Sequence, residues 1–207
     1  MAADPQAVAA FISDPIGFMK SNLVRAPTCK TREYGRPVEL TLEPDPSATA
    51  TCGDAGCKVY GLRAIKEKEI GFKSYICDFS SDAICYQVLA AEADFMFTFA
   101  MTGCTFGVGS PTPGGEVLVS HSNAKSGKDM TQTQRQFAYT EGLHGEHLAK
   151  ALEPDAYRPD GQEIATTFGV RTSRKWKFFY LSYQVVKASF PIGYKHFGVY
   201  SFSGQPA

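Results

Sequence analysis

The sequence predicts an α+β protein with a β-sandwich core and peripheral helices. Two observations carry that expectation. From residue 36 onward, short runs of apolar residues alternate with polar ones, or are apolar throughout, between turns rich in Pro, Gly, Asp and Ser. Helical signals are confined to the N-terminus and to a region near residues 131–152. The chain has 207 residues, 43% of them hydrophobic, enough to bury a core without covalent help. The expected organisation is an N-terminal helical segment, 1–30, followed by a single β-sandwich domain, 31–207. No apolar run approaches the roughly 20 residues of a membrane span, so no membrane partner is expected.

The first two helices follow from local chemistry. Pro5 to Ile12 is small and apolar. Ser13-Asp14-Pro15 then offers a cap and an early proline, and Ile16, Phe18, Met19 and Leu23 supply a buried stripe. From Arg36 the period becomes two, with Val38, Leu40 and Leu42 alternating as in a half-buried strand. Residues 43–55 read as a loop. Lys58 to Ile65 and Glu69 to Cys77 read as a hairpin around Lys66 to Lys68. Ala83 to Ala91 fits strand or helix.

Asp94 to Met101 is apolar on both faces, which marks a central strand. Cys104 to Val108 would continue it past a bend at Gly103. After the Ser110 to Gly115 turn, Glu116 to Ser120 is the next strand, with Val117, Val119 and His121 on one face. Thr131 to Tyr139 and His144 to Leu152 read as short helices, and Glu153 to Gly161 as a Pro/Asp-rich loop. Ile164 to Val170, Lys175 to Val186 and Phe197 to Phe202 read as closing strands. In the Trp176 to Tyr180 run, alternation puts Trp176, Phe178 and Tyr180 on one face. A core strand therefore accounts for it better than a single-stranded nucleic-acid surface does.

The formal net charge is zero but unevenly spread. Six acids lie between Glu141 and Glu163, and none follows, while the last stretch carries Arg171, Arg174, Lys175, Lys177, Lys187 and Lys195. A basic face beside an acidic one fits a protein partner, and no nucleic acid is expected. Six cysteines stand at 29, 52, 57, 77, 85 and 104. Setting Cys104 aside leaves an odd five, a poor disulfide framework that suggests mostly reduced thiols. Cys52-x4-Cys57 is open to a local disulfide, free thiols or half a zinc site, and no second pair at ligand spacing accompanies it. His144-x2-His147 also lacks a third ligand at suitable spacing, so no metal is expected.

The segment Thr98 to Cys104 makes the most specific chemical claim. A cysteine presented behind Gly103 after an apolar strand, with His121 on the following strand, is the layout of a thiol nucleophile and its base. The tight Gly103-Cys104 turn would leave backbone N–H groups for an oxyanion hole. Asn123, on the same face as His121, is a candidate orienter of the imidazole or simply a turn residue that ends the strand. Gln184 has an amide that could reach the site from across the sandwich, or serve only a ladder or loop contact.

This pattern, Thr98-x5-Cys104 with Met-Thr-Gly-Cys after an aromatic strand, then a Gly-rich turn and His121, resembles the cytotoxic-necrotizing-factor type of glutamine deamidase. That superfamily includes the Burkholderia lethal factor and the chemoreceptor deamidase CheD. The resemblance covers about residues 94–123, with Met101-Thr102 in place of the usual Leu-Ser. It implies a cysteine-dependent protein-glutamine deamidase, a bacterial toxin or effector, in which Cys104 attacks a glutamine carboxamide, His121 moves the proton and Thr98 orients the imidazole. It implies no cofactor, and a protein substrate as partner. A primary amine in place of water would give transglutamination. The alternatives are a thiol hydrolase or peptidase with the same dyad, or a non-catalytic binding domain. No secretory signal is seen at the N-terminus, which fits either the producing cell's cytoplasm or delivery into a target cell.

Overall fold

In the computed structural model, which describes residues 2–29, 35–125, 129–188 and 190–207, aspartates start the first two helices. Asp4 accepts from the amides of Gln6 and Ala7 at the head of α1 (Pro5–Ser13), and Asp14 from Gly17 at the head of α2 (Pro15–Ser21). Each helix opens on a proline, whose missing N–H costs nothing at that position. The 1–30 segment is not wholly helical, because Leu23–Arg25 forms strand β1.

The remaining strands are β2 (Val38–Pro44), β3 (Ala48–Cys52), β4 (Ala55–Cys57), β5 (Val59–Ala64), β6 (Phe72–Cys77), β7 (Ala83–Leu89) and β8 (Phe95–Thr98). They continue as β9 (Thr105–Gly109), β10 (Val117–Asn123), β11 (Leu148–Leu152), β12 (Ile164–Thr172), β13 (Lys175–Lys187) and β14 (Ile192–Ser201). Helix α3 (Gln132–His144) precedes β11, and the short α4 (Pro154–Tyr157) follows it.

Among the described residues, one sheet has the order β1-β5-β2-β6-β8-β12-β13-β14-β3-β4 and a smaller one β11-β9-β10-β7. The larger sheet curls, so that Arg25 of β1 reaches Tyr194 of β14 at 3.3 Å and Asp45 at 2.6 Å. The two sheets face each other across Tyr75, Met96, Ala165 and Tyr180 on one side and Leu89, Phe106, Val119 and Leu152 on the other. The opposite face of the larger sheet packs on α1 and α2, where Phe11 meets Phe72 and Phe95 at ring distances of 4.8 and 5.0 Å. Each such fully buried side chain contributes on the order of 1.5–3 kcal/mol. This is the α+β, sandwich-cored architecture expected.

The central strand is where the sequence put it: β8 lies between β6 and β12, and all four of its residues are buried. The continuation past Gly103 is not as expected. Met101 still bridges Ala165 of the larger sheet, but β9 belongs to the smaller one. The chain changes sheets between Met101 and Thr105, a change that Gly103 permits by adopting φ +129°.

Four other expectations are corrected. The hairpin of β5 and β6 does not form, because β2 lies between them and pairs antiparallel with both. The second helix, His144 to Leu152, is instead the C-terminal end of α3, a 3-10 turn at Gly145–His147 and edge strand β11. The loop at 43–55 contains β3 and the start of β4, and a disulfide joins Cys52 to Cys57. Ala83 to Leu89 resolves as strand, and the last strand begins at Ile192 rather than Phe197. Among the described residues, no helix is long and apolar enough to cross a membrane.

Candidate active site

Antiparallel pairing sets the geometry around Cys104. Thr105 of β9 stands opposite Ser122 of β10, and Phe106 opposite His121. One residue further, Cys104 comes opposite Asn123, and its Sγ donates to Asn123 Oδ1 at 3.5 Å. By the period of two, Cys104 and Phe106 share the inward face of the smaller sheet with Val119, His121 and Asn123. His121 is thus a diagonal neighbour of Cys104, the closest relation after a direct cross-strand pair. No hydrogen bond joins the two side chains.

Thr98 approaches from the larger sheet. It pairs in register with Cys77 of β6, and both face the smaller sheet with Met96 and Tyr75. Cys77 in turn meets the backbone of His121. The hydroxyl of Thr98 is buried with no hydrogen-bond partner. No hydrogen bond therefore joins Thr98 to the imidazole. No hydrogen bond joins Asn123 to the ring either: Ser122 stands between the two along the strand, and the Asn123 side-chain oxygen accepts from the sulfur.

His121 is 1% exposed, and no side chain bonds the ring nitrogens, which lie by the backbone of Cys77 and Asp78. Burial pulls its pKa down to about 4, although backbone groups of Cys77 and Asp78 oppose the shift. Burial pushes the Cys104 thiol up to about 11, while the Thr102 backbone and the Arg158 charge pull it the other way. At neutral pH the resting pair is a thiol and a neutral imidazole. Cys85 stands directly opposite His121 on β7 and is more exposed than Cys104, so three thiols surround this histidine.

Sequence reasoning missed the residues that hold the Cys104 turn. Tyr157 Oη accepts from the Gly103 amide at 3.0 Å and donates to the Cys104 carbonyl at 2.8 Å. Gln136 and Gln132 donate to the Gly103 carbonyl at 2.9 and 3.4 Å, and Arg158 donates to the Thr102 carbonyl. The Gly103 amide is therefore occupied, whereas an oxyanion hole needs it free. A Cβ at Gly103 would come within 2.9 Å of the Arg158 guanidinium, which a flexible side chain can move aside, so it is the φ of +129° that calls for glycine. Tyr157 and Arg158 lie in a Pro/Asp-rich stretch that carries no periodicity to reveal them.

The other candidates disperse. His144 is buried against β10, with Nε2 2.9 Å from Ser120 Oγ, whereas the His147 side chain is 76% exposed, so the two do not converge. Gln184 donates to Gln162 Oε1 at 2.5 Å, a loop contact. Among the described residues no His, Cys, Asp and Glu cluster could hold a metal ion.

No protein-family model matches the chain, and no curated protein matches it in sequence. Among solved structures, one that it is similar to is the C-terminal domain of CNFy from Yersinia pseudotuberculosis, at a TM-score of 0.48 and 12% identity. The match covers 96% of this chain and 98% of that one. A likeness of this size does not extend to residues or chemistry.

Proposed function

We propose that the chain is a cysteine-dependent protein-glutamine deamidase, acting as a bacterial toxin or effector on a protein of the target cell. The observation that supports this most is the placement of Cys104, at a strand end behind glycine, as the diagonal neighbour of a histidine buried on the same face, with no side chain bonded to either ring nitrogen. The sequence pattern around Thr98, Cys104 and His121 supports the same reaction.

With the thiol protonated and the imidazole neutral, His121 acts first as general base. It takes the Sγ proton as sulfur attacks the glutamine carboxamide carbon, and returns that proton to the departing ammonia. The C–N bond breaks and a thioester forms at Cys104. His121 then takes a proton from water, whose oxygen attacks the thioester carbon, and hands it to the leaving sulfur. Glutamate is released and the thiol restored. The oxyanion needs donors, for which the Gly103 amide qualifies once Tyr157 lets it go. Arg158 supplies positive charge beside the sulfur.

The test is mass spectrometry of target-cell lysate for glutamine-to-glutamate conversion. Conversion is expected with the parent and with Cys85→Ser, and is expected to vanish with Cys104→Ala and His121→Ala, each shown to be folded. Conversion that survives Cys104→Ala refutes the proposal, as does its absence with the parent. The second reading, a non-catalytic binding domain, draws on Cys104 being only 2% exposed. It requires that no carboxamide be converted while Cys104→Ala leaves partner binding intact.

A further inference from the structure

At the other end of the sandwich, the two sheets part around a pocket of about 890 Å³. Cys104 precedes β9, whereas Val108 and Gly109 at the far end of that strand line the pocket. Four to five residues of strand separate the two places, about 15 Å. The pocket therefore belongs to no step of the chemistry proposed for Cys104.

Its walls and rim differ in kind. Inside stand Trp176, Phe178 and Phe202, with Trp176 and Phe178 stacked at 6.3 Å and Phe178 against Phe202 at 5.9 Å. These rings are only partly buried, although they extend the aromatic core around Phe106. Two cations, Lys150 and Arg174, also line the pocket, and no acid does. Both are exposed. Lys175 and Lys177 border it too, but by the period of two their side chains leave the opposite face of β13 from Trp176 and Phe178. The chain is neutral overall, so a lining with positive charges and no negative one is a local arrangement rather than a reflection of composition.

The volume lies in the range of small-molecule sites, which are mostly apolar with a few polar groups that fix orientation. An apolar interior with a cationic mouth complements a molecule that has an apolar body and one anionic head. The geometry points to this pocket as a binding site for a small amphiphilic anion, a carboxylate carried on an alkyl chain or ring. The body lies against Trp176, Phe178 and Phe202, and the carboxylate sits at Lys150 and Arg174. A nucleic-acid strand suits the site less well, because stacking needs ring faces open to solvent, and these face the space between the sheets.

Trp176 is the chain's single tryptophan, so its emission, excited where tyrosine does not absorb, reports on this pocket alone. Decanoate below its micellar concentration is the probe, with decanol and decyltrimethylammonium as neutral and cationic matches of the same chain length. Decanoate is expected to shift Trp176 emission saturably and to bind about tenfold more tightly than decyltrimethylammonium. In Lys150→Glu/Arg174→Glu that preference is expected to vanish while decanol binding stays within twofold. Both positions are exposed, and an unchanged thermal transition shows that the double variant is folded. Cys104→Ala is expected to bind decanoate as the parent does, which keeps this result separate from the fate of the deamidase proposal. No saturable shift, equal binding of the anion and cation, or displacement of decanoate by oligo-dT would each overturn the assignment.

Discussion

Replacing Tyr157 by Phe removes one oxygen that satisfies two backbone groups of the Cys104 turn, the Gly103 amide and the Cys104 carbonyl. Tyr157 is 1% exposed and Cys104 2%, so water does not readily replace the lost partner. Two net hydrogen bonds of about 1 kcal/mol each, plus part of the desolvation cost of the orphaned groups, give a loss of about 2–4 kcal/mol. For a chain of this length that lowers Tm by roughly 5–15 °C. Thermal unfolding followed by circular dichroism measures it. Tyr180→Phe is the control, because its hydroxyl makes one bond, to the Ala156 carbonyl at 3.2 Å, in the same aromatic cluster. A Tyr157→Phe loss no larger than that of Tyr180→Phe refutes the idea that this hydroxyl fixes the turn.

Three more outcomes follow from the same geometry. With its pKa raised from 9.0 to about 11, Cys104 carries about a hundredfold less thiolate at pH 8 than an ordinary thiol. Its iodoacetamide labelling in the folded protein should be slow at pH 8 and rise steeply towards pH 11, and fast labelling at pH 7 would contradict the resting state described above. His121 has a pKa of about 4 when folded and 6.5 when unfolded, so between those values the unfolded chain binds the extra proton. Its contribution is complete above pH 6.5 and is lost as the pH falls towards 4, by about 3 kcal/mol at most. His121→Gln should flatten that acid limb in urea titrations, and an unchanged slope refutes the assignment. A Cβ at Gly107 would meet Thr140 Cγ2 at 2.4 Å and Ser120 Oγ at 2.6 Å. Gly107→Ala should therefore cost about 1–3 kcal/mol by forcing α3 off the smaller sheet, which chemical denaturation would reveal.

How much of this was legible depends on the range of the cause. The period of two put Val117, Val119 and His121 on one face, and the continuous apolar run of 94–101 marked β8, because both are properties of neighbouring residues. The separation of β5 from β6 was not legible, since it depends on β2, which comes earlier in the chain and inserts between them. Leu148 to Leu152 has helix-forming residues throughout and is a strand only because β9 offers it an edge. At the site, Cys104 and His121 could be found from type and spacing. Tyr157, Arg158 and Gln136 could not, because they act on backbone groups that no sequence pattern announces. Cys85 was hidden by the ambiguity of its own strand.

The resting site is closed as well as unionised, and Arg158 is the residue most able to change both. Its guanidinium packs over Gly103 and donates to the carbonyls of Thr102 and Gly161. Removing it has two opposite effects on the sulfur. The lost charge raises the thiol pKa, whereas the opened turn admits water and lowers it. Desolvation is the largest influence on Cys104, and the Arg158 charge is the smallest of the three named. Relief of burial should therefore win, and Arg158→Ala should label with iodoacetamide faster than the parent at pH 8. Arg158→Lys should fall between them, because an ammonium keeps the charge but loses the planar fork that bonds two carbonyls at once. Slower labelling in Arg158→Ala would mean that charge outweighs access, and that Arg158 activates the thiol rather than covering it.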